Sequence, residues 1–200
     1  AGIEMLHEGG NVIDAAVATA AAECVTIPMM CGVGGEVFVL YYEASSGKLF
    51  GLTGSGAAPT GATPDFFLSK GYQSMPLEGP LSATIPGEAH AWHTLLERFG
   101  TLGLSRSLQP AIRLAEDGFP IPERISAYYP INYEKLHRFP SSDAIFHPHG
   151  KSLGAGDLLV QKNLSRTLQR IAQQGVEVLY QGDLGKELVE ATRAAGGLFT

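Results

Sequence analysis

Residues 28–59 read P-M-M-C-G-V-G-G-E-V-F-V-L-Y-Y-E-A-S-S-G-K-L-F-G-L-T-G-S-G-A-A-P, and this stretch sets the expectation for the rest of the chain. A glycine-rich turn, Gly32 to Gly35, feeds β-branched and aromatic residues over 37–42, which read as a buried strand. Residues 44–47 form a turn carrying a glycine, and 48–53 return as the second strand of a hairpin. The chain then leaves through Gly54, Ser55 and Gly56, where few side chains keep another backbone or a ligand away. That exit is the expected wall of an active site.

Upstream, residues 2–7 read as a short helix closed by Gly9 and Gly10. Asn11 can cap the next helix, with Asp14 three residues on as the acidic member of a capping box. The run A-A-V-A-T-A-A-A-E-C-V, 15–25, is small and apolar on nearly every side, so this helix should be buried against a sheet, with Pro28 ending it. Cys24 and Cys31 stand seven apart, a spacing that matches no metal or redox motif, and read as two buried thiols.

Downstream, Thr63-Pro64-Asp65 starts a short helix and 70–81 is a loop rich in proline and glycine. Residues 82–85 read as a short strand. Pro86 opens a helix whose Ala89, Trp92, Leu95, Leu96 and Phe99 share one face. A helix over 104–117 turns Ile112, Leu114 and Ala115 inward and ends at Gly118. Residues 128–156 show no sustained period and read as a loop-rich connection with one short helix at 133–137. Helices over 163–174 and 183–195 close the chain.

The composition, 200 residues with 44% hydrophobic, suits a single domain with 1–100 as a helix and sheet core and 101–200 as a mainly helical extension. A net charge of −6, with 14 scattered Lys and Arg, argues against a nucleic-acid partner. No apolar run is long enough to span a bilayer. The chain starts on helical pattern without Met and stops without a terminal cap, so both ends read as cut; the compartment, cytoplasmic or periplasmic, stays open.

Candidate chemistry in the residues themselves is sparse. His147-Pro148-His149 and the i, i+3 pair His90 and His93 lack a third ligand at a definable spacing and read as structural. The Gly32 to Gly35 turn resembles a phosphate loop, but it follows a helix and opens a strand, the reverse of a nucleotide-binding loop. No G-x-S-x-G nucleophile elbow is present. Pattern alone therefore yields a layered α and β domain with a glycine-lined wall and no nucleophile.

Several blocks together resemble the γ-glutamyltranspeptidase family. They are G-G-N-V-I-D-A-A-V-A-T-A-A-A-E-C-V (9–25), P-M-M-C-G-V-G-G-E-V-F-V-L-Y-Y (28–42), G-S-G-A-A-P-T-G-A-T-P-D (54–65), A-T-I-P-G-E-A-H-A-W (83–92), L-Q-P-A-I-R-L-A-E-D-G-F-P-I (108–121) and the helices from 164 to 189. The resemblance covers essentially the whole chain. It implies an α+β fold, an αββα sandwich of the N-terminal-nucleophile hydrolase type, incomplete in this chain as part of a large subunit. It also implies an autoproteolytic proenzyme in which a threonine, exposed at the start of a small subunit, is the nucleophile. That threonine would lie beyond Thr200, so no catalytic residue is expected here. Ser55, Gly56 and Ala57 are the expected substrate-binding wall. The implied partners are the segment carrying that threonine and a small amide or γ-glutamyl substrate; no cofactor or metal is implied, and a homo-oligomer is an open option.

The window departs from the family pattern in one respect. Members carry R-E-x-A-P, or G-S-G-R-A-P in a related branch, where arginine can grip the carboxylate of a γ-glutamyl group. Here Ser55 stands at the first arginine position and Ala57 at the second. Either a cation arrives from elsewhere, or the substrate lacks that carboxylate, as for cephalosporin-acylase-like or oxamate-amidohydrolase-like relatives. A catalytically inactive binding scaffold and a nucleotide-binding protein are the competing classes.

Overall fold

The computed structural model describes all of residues 1–200. In chain order come helices α1 (Gly2–His7) and α2 (Val12–Thr26), the hairpin β1 (Val37–Glu43) and β2 (Lys48–Gly54), then α3 (Pro64–Ser69) and α4 (Glu88–Phe99). Next are α5 (Gly103–Ser107), α6 (Gln109–Asp117) and β3 (Phe119–Pro120). Four short helices follow, α7 (Glu123–Ser126), α8 (Tyr128–Ile131), α9 (Tyr133–His137) and α10 (Pro140–Phe146). The chain closes with β4 (Leu158–Leu159), α11 (Lys162–Gln174), α12 (Glu177–Tyr180) and α13 (Asp183–Ala194). It divides into two compact units, Ala1–Gly32 with Leu96–Gln173, and Val33–Leu95 with Gln174–Thr200.

The first unit is organised by one carboxylate. Asn11 Oδ1 accepts from the backbone of Ile13 and Asp14, and Asp14 Oδ2 accepts from Asn11 N at 2.8 Å, completing the expected capping box. Asp14 is fully buried and also accepts from Thr101 N at 3.0 Å and Leu102 N at 2.8 Å, tying the start of α2 to the turn that opens α5. Burial alone would push this carboxyl up, but the backbone N–H groups of Asn11, Leu102 and Thr101 outweigh it and hold it below the ordinary range. The small-residue face of α2 packs on α1, α5 and α6. Small side chains let two helix backbones approach as readily as a helix and a sheet, and the pattern does not distinguish them.

Differences from expectation have local causes. The helix read over 104–117 is two, α5 and α6, meeting at Leu108, with Leu114 only half-buried. Residues 128–156 hold α8, α9 and α10 rather than a single helix in a loop, because each is too short to display a period. The two-residue ladder Phe119↔Leu159 and Pro120↔Leu158 escaped the sequence reading for the same reason. Cys24 is a buried thiol, whereas Cys31 is half-buried.

In the second unit β1 pairs with β2 as the expected antiparallel hairpin, with register Val37↔Gly54 through Glu43↔Lys48. The strand over 37–42 is not buried: Phe38 is 70% exposed and Leu40 78%. This sheet has only two strands, and nothing in its own unit covers that face. Residues 82–85, expected as a short strand, form none: Ser82 ends a single 3₁₀ turn, Pro80–Ser82, Ala83 is extended without a ladder partner, and Pro86 has no N–H to continue one. Ala89, Trp92 and Leu95 of α4 are buried as the helical spacing predicts. No helix of the structure is long and apolar enough to cross a membrane.

Candidate functional site

The hairpin exit is built by backbone pressed on backbone. A Cβ placed on Gly56 would fall 1.4 Å from Ile85 O, and one on Gly87 would fall 2.1 Å from Gly54 O. Only glycine permits either approach, since even a methyl group would occupy the space of the facing carbonyl. Ile85 N donates to Ala57 O at 3.0 Å and locks the two strips together.

The glycine-rich turn braces the same structure. Gly35 O accepts from both Gly87 N and Glu88 N at 3.1 Å, so the first amides of α4 are bound to a carbonyl rather than turned to an anion. The turn therefore supplies an acceptor to a helix start, which is the opposite of a phosphate loop's donors.

Beside this double strip opens a pocket of about 350 Å³. Thr53, Gly54 and Ser55 line one side, Pro86, Gly87 and His90 the other. Tyr180, the last residue of α12, crosses it: its hydroxyl donates to Pro86 O at 2.8 Å and accepts from His90 N at 3.2 Å. Burial pushes the Tyr180 phenol up, so it remains a neutral donor near neutral pH. His90 packs edge-on against the Tyr180 ring, with centroids 5.9 Å apart, and its other neighbour His93 lies edge-on at 6.4 Å.

Ser55 is exposed and lines the pocket directly. Gly56 is half-buried and contributes its close approach to Ile85, while Ala57 is exposed with its carbonyl engaged. The pocket's lining includes neither Lys nor Arg, and its titratable members are His90 and Tyr180. Such a surface can accept a neutral polar group by hydrogen bonds from hydroxyls and peptides. It has no cation for a carboxylate, and the hydroxyl beside its imidazole, Thr94 Oγ1 at 3.5 Å from His90 Nδ1, donates to His90 O at 2.9 Å.

Sequence reasoning found one side of this pocket. Tyr180 and Pro86 were missed because a residue 94 positions away in the chain leaves no local signal of contact. In the first unit, His147 faces Asp143 and His137 rather than His149. The i, i+4 spacing of Asp143 and His147 was the available signal.

The profile of the Gamma-glutamyltranspeptidase family matches residues 1–200. The chain is 35% identical to the Glutathione hydrolase proenzyme of Bacillus subtilis (strain 168), over all of this chain and 34% of that one. It thus spans about a third of the length of that curated relative. Among solved structures it is similar to gamma-glutamyltranspeptidase of Helicobacter pylori, with TM-score 0.93, 33% identity, all of this chain and 58% of that one. It is equally similar to cephalosporin acylase from Bacillus halodurans, with TM-score 0.92, 33% identity, all of this chain and 38% of that one.

Proposed function

Because the chain belongs to the γ-glutamyltranspeptidase family, we propose that it is a large-subunit portion of an amide-cleaving or acyl-transferring enzyme whose hairpin exit walls the substrate site. Its fold is the α+β fold of N-terminal-nucleophile hydrolases, of which this chain carries part. The nucleophile is a threonine outside these residues. Its own α-amine takes the hydroxyl proton, directly or through water, as the oxygen attacks the amide carbon. Preorganised N–H donors hold the tetrahedral oxyanion, the amine leaves with a proton, and the acyl group passes from threonine to water or to an acceptor amine.

The substrate is an amide whose acyl group does not depend on a free carboxylate at this wall. The observation that carries this reading is the pair Ser55 and Ala57 at the two positions where relatives place arginine, on a pocket lined by neither Lys nor Arg. Seating a carboxylate there without a charge partner would cost several kcal/mol of desolvation.

The test uses the protein at its natural full length, after processing. Release of p-nitroaniline from γ-glutamyl-p-nitroanilide is compared with release from 4-aminobutyryl-p-nitroanilide, the same chain without the carboxylate. The expected result is poor turnover of the first, with Ala57→Arg shifting kcat/KM toward it by about 10- to 100-fold, the worth of one charge-assisted contact. Efficient turnover of the γ-glutamyl donor by the unmodified protein would contradict the carboxylate argument. Absence of any processed threonine terminus would favour a binding scaffold instead.

A further inference from the structure

Helices α9 and α10 are five and seven residues long, well short of the roughly 12 residues at which an isolated helix becomes even marginally stable in water. A polar cluster joins them. His137 is the last residue of α9, and its Nδ1 lies 2.8 Å from Asp143 Oδ1 in α10. His147, immediately after α10, sets its Nδ1 2.9 Å from the same oxygen. Tyr133 lies against both rings, nearly parallel to His137 at 5.4 Å and tilted over His147 at 4.4 Å. The His147 ring is wholly buried, and its Nε2 meets no partner, so Nδ1 is the atom through which it makes its polar contact. His137 and Asp143 are open to water on the other side.

Two imidazoles converging on one carboxylate oxygen form a donor set that suits first-row divalent metals. The three ligand atoms lie within 4.8 Å of one another. Atoms 2.8 and 2.9 Å apart subtend about 85° at an ion held by bonds of about 2.1 Å, the angle between neighbouring ligands of a five- or six-coordinate centre. The exposed side leaves its remaining positions to water.

We infer that His137, Asp143 and His147 bind a first-row divalent transition-metal ion that staples α9 to α10. None of the three lines the pocket beside Ser55, and the inference stands independently of the proposed reaction. An ion bound only by the folded form stabilises it by mass action, so the site is a structural one among the short helices α8 to α10.

The full-length protein, stripped with a chelator, is titrated with Zn²⁺ by calorimetry and with Co²⁺ by visible absorption, beside His137→Gln and Asp143→Asn. Both variants alter water-accessible side chains, so the fold is retained, and far-UV circular dichroism without metal checks this. The expected result is one equivalent of Zn²⁺ bound by the parent and lost in both variants. Metal should also protect residues 128–150 from limited proteolysis in the parent alone. Equal metal uptake by parent and both variants, including none by any of them, would overturn the inference and leave a metal-free hydrogen-bonded cluster.

Discussion

Adding one methyl group at Gly56 should be far more damaging than adding one at Gly51, although both glycines belong to the same hairpin and its exit. At Gly56 the new carbon would sit 1.4 Å from Ile85 O, 2.6 Å from Ile85 C and 3.2 Å from Ile85 Cα. The obstacle is backbone, which cannot rotate aside as a side chain can. The two strips must separate by at least about 1.6 Å, which breaks the Ile85 N to Ala57 O bond and strains the neighbouring contact of Gly87 with Gly54 O. We expect Gly56→Ala to destabilise by about 4 kcal/mol or more, in the range reserved for overpacking combined with a lost hydrogen bond. At Gly51 the nearest atom is Leu40 Cδ2 at 3.7 Å, an ordinary contact, and the backbone is not left-handed. Gly51→Ala should be neutral or stabilising by about 0.5–1 kcal/mol, through lower chain entropy in the unfolded state. Urea unfolding of the full-length protein, followed by circular dichroism, reads both midpoints. Gly56→Ala within about 1 kcal/mol of the parent would show that the strips are not in contact and would remove the wall argued for above.

Asp14→Ala should cost about 1–3 kcal/mol, because it leaves several part-buried N–H groups without their acceptor; equilibrium unfolding measures it. The Asp14 carboxyl is held below its ordinary range in the folded state, so its stabilisation is present above about pH 4 and is lost as pH falls through the lower native value. Asp14→Asn should flatten that acid limb in a series of thermal melts. Tyr180→Phe removes the donor to Pro86 O and the acceptor of His90 N, and should lower stability by about 1–2 kcal/mol. If the pocket binds substrate, KM should rise more than kcat in that variant, a split that steady-state kinetics resolves. Leu168→Ala, at a fully buried position of α11, should cost about 2–5 kcal/mol in a urea titration.

Much of this molecule could be read locally. The Asn11 and Asp14 box, the hairpin from Val37 to Gly54 and the Thr63 cap of α3 each depend on residues within a few positions of one another. So do the left-handed glycines at 118 and 175. Such features follow from the backbone geometry a short window can adopt. The blocks between 9 and 189 carried the family, because their order and spacing survive in the linear chain. Tertiary structure alone settled which surfaces meet. It put the small-residue face of α2 on helices and left Phe38 and Leu40 exposed on a two-stranded sheet. It also drew Tyr180 to Pro86, and His137 with His147 to one oxygen of Asp143. Composition and period state that a face is apolar or a side chain can bond. The partner is set by how distant segments pack, and that depends on free-energy differences summed over the whole chain, which no short window contains.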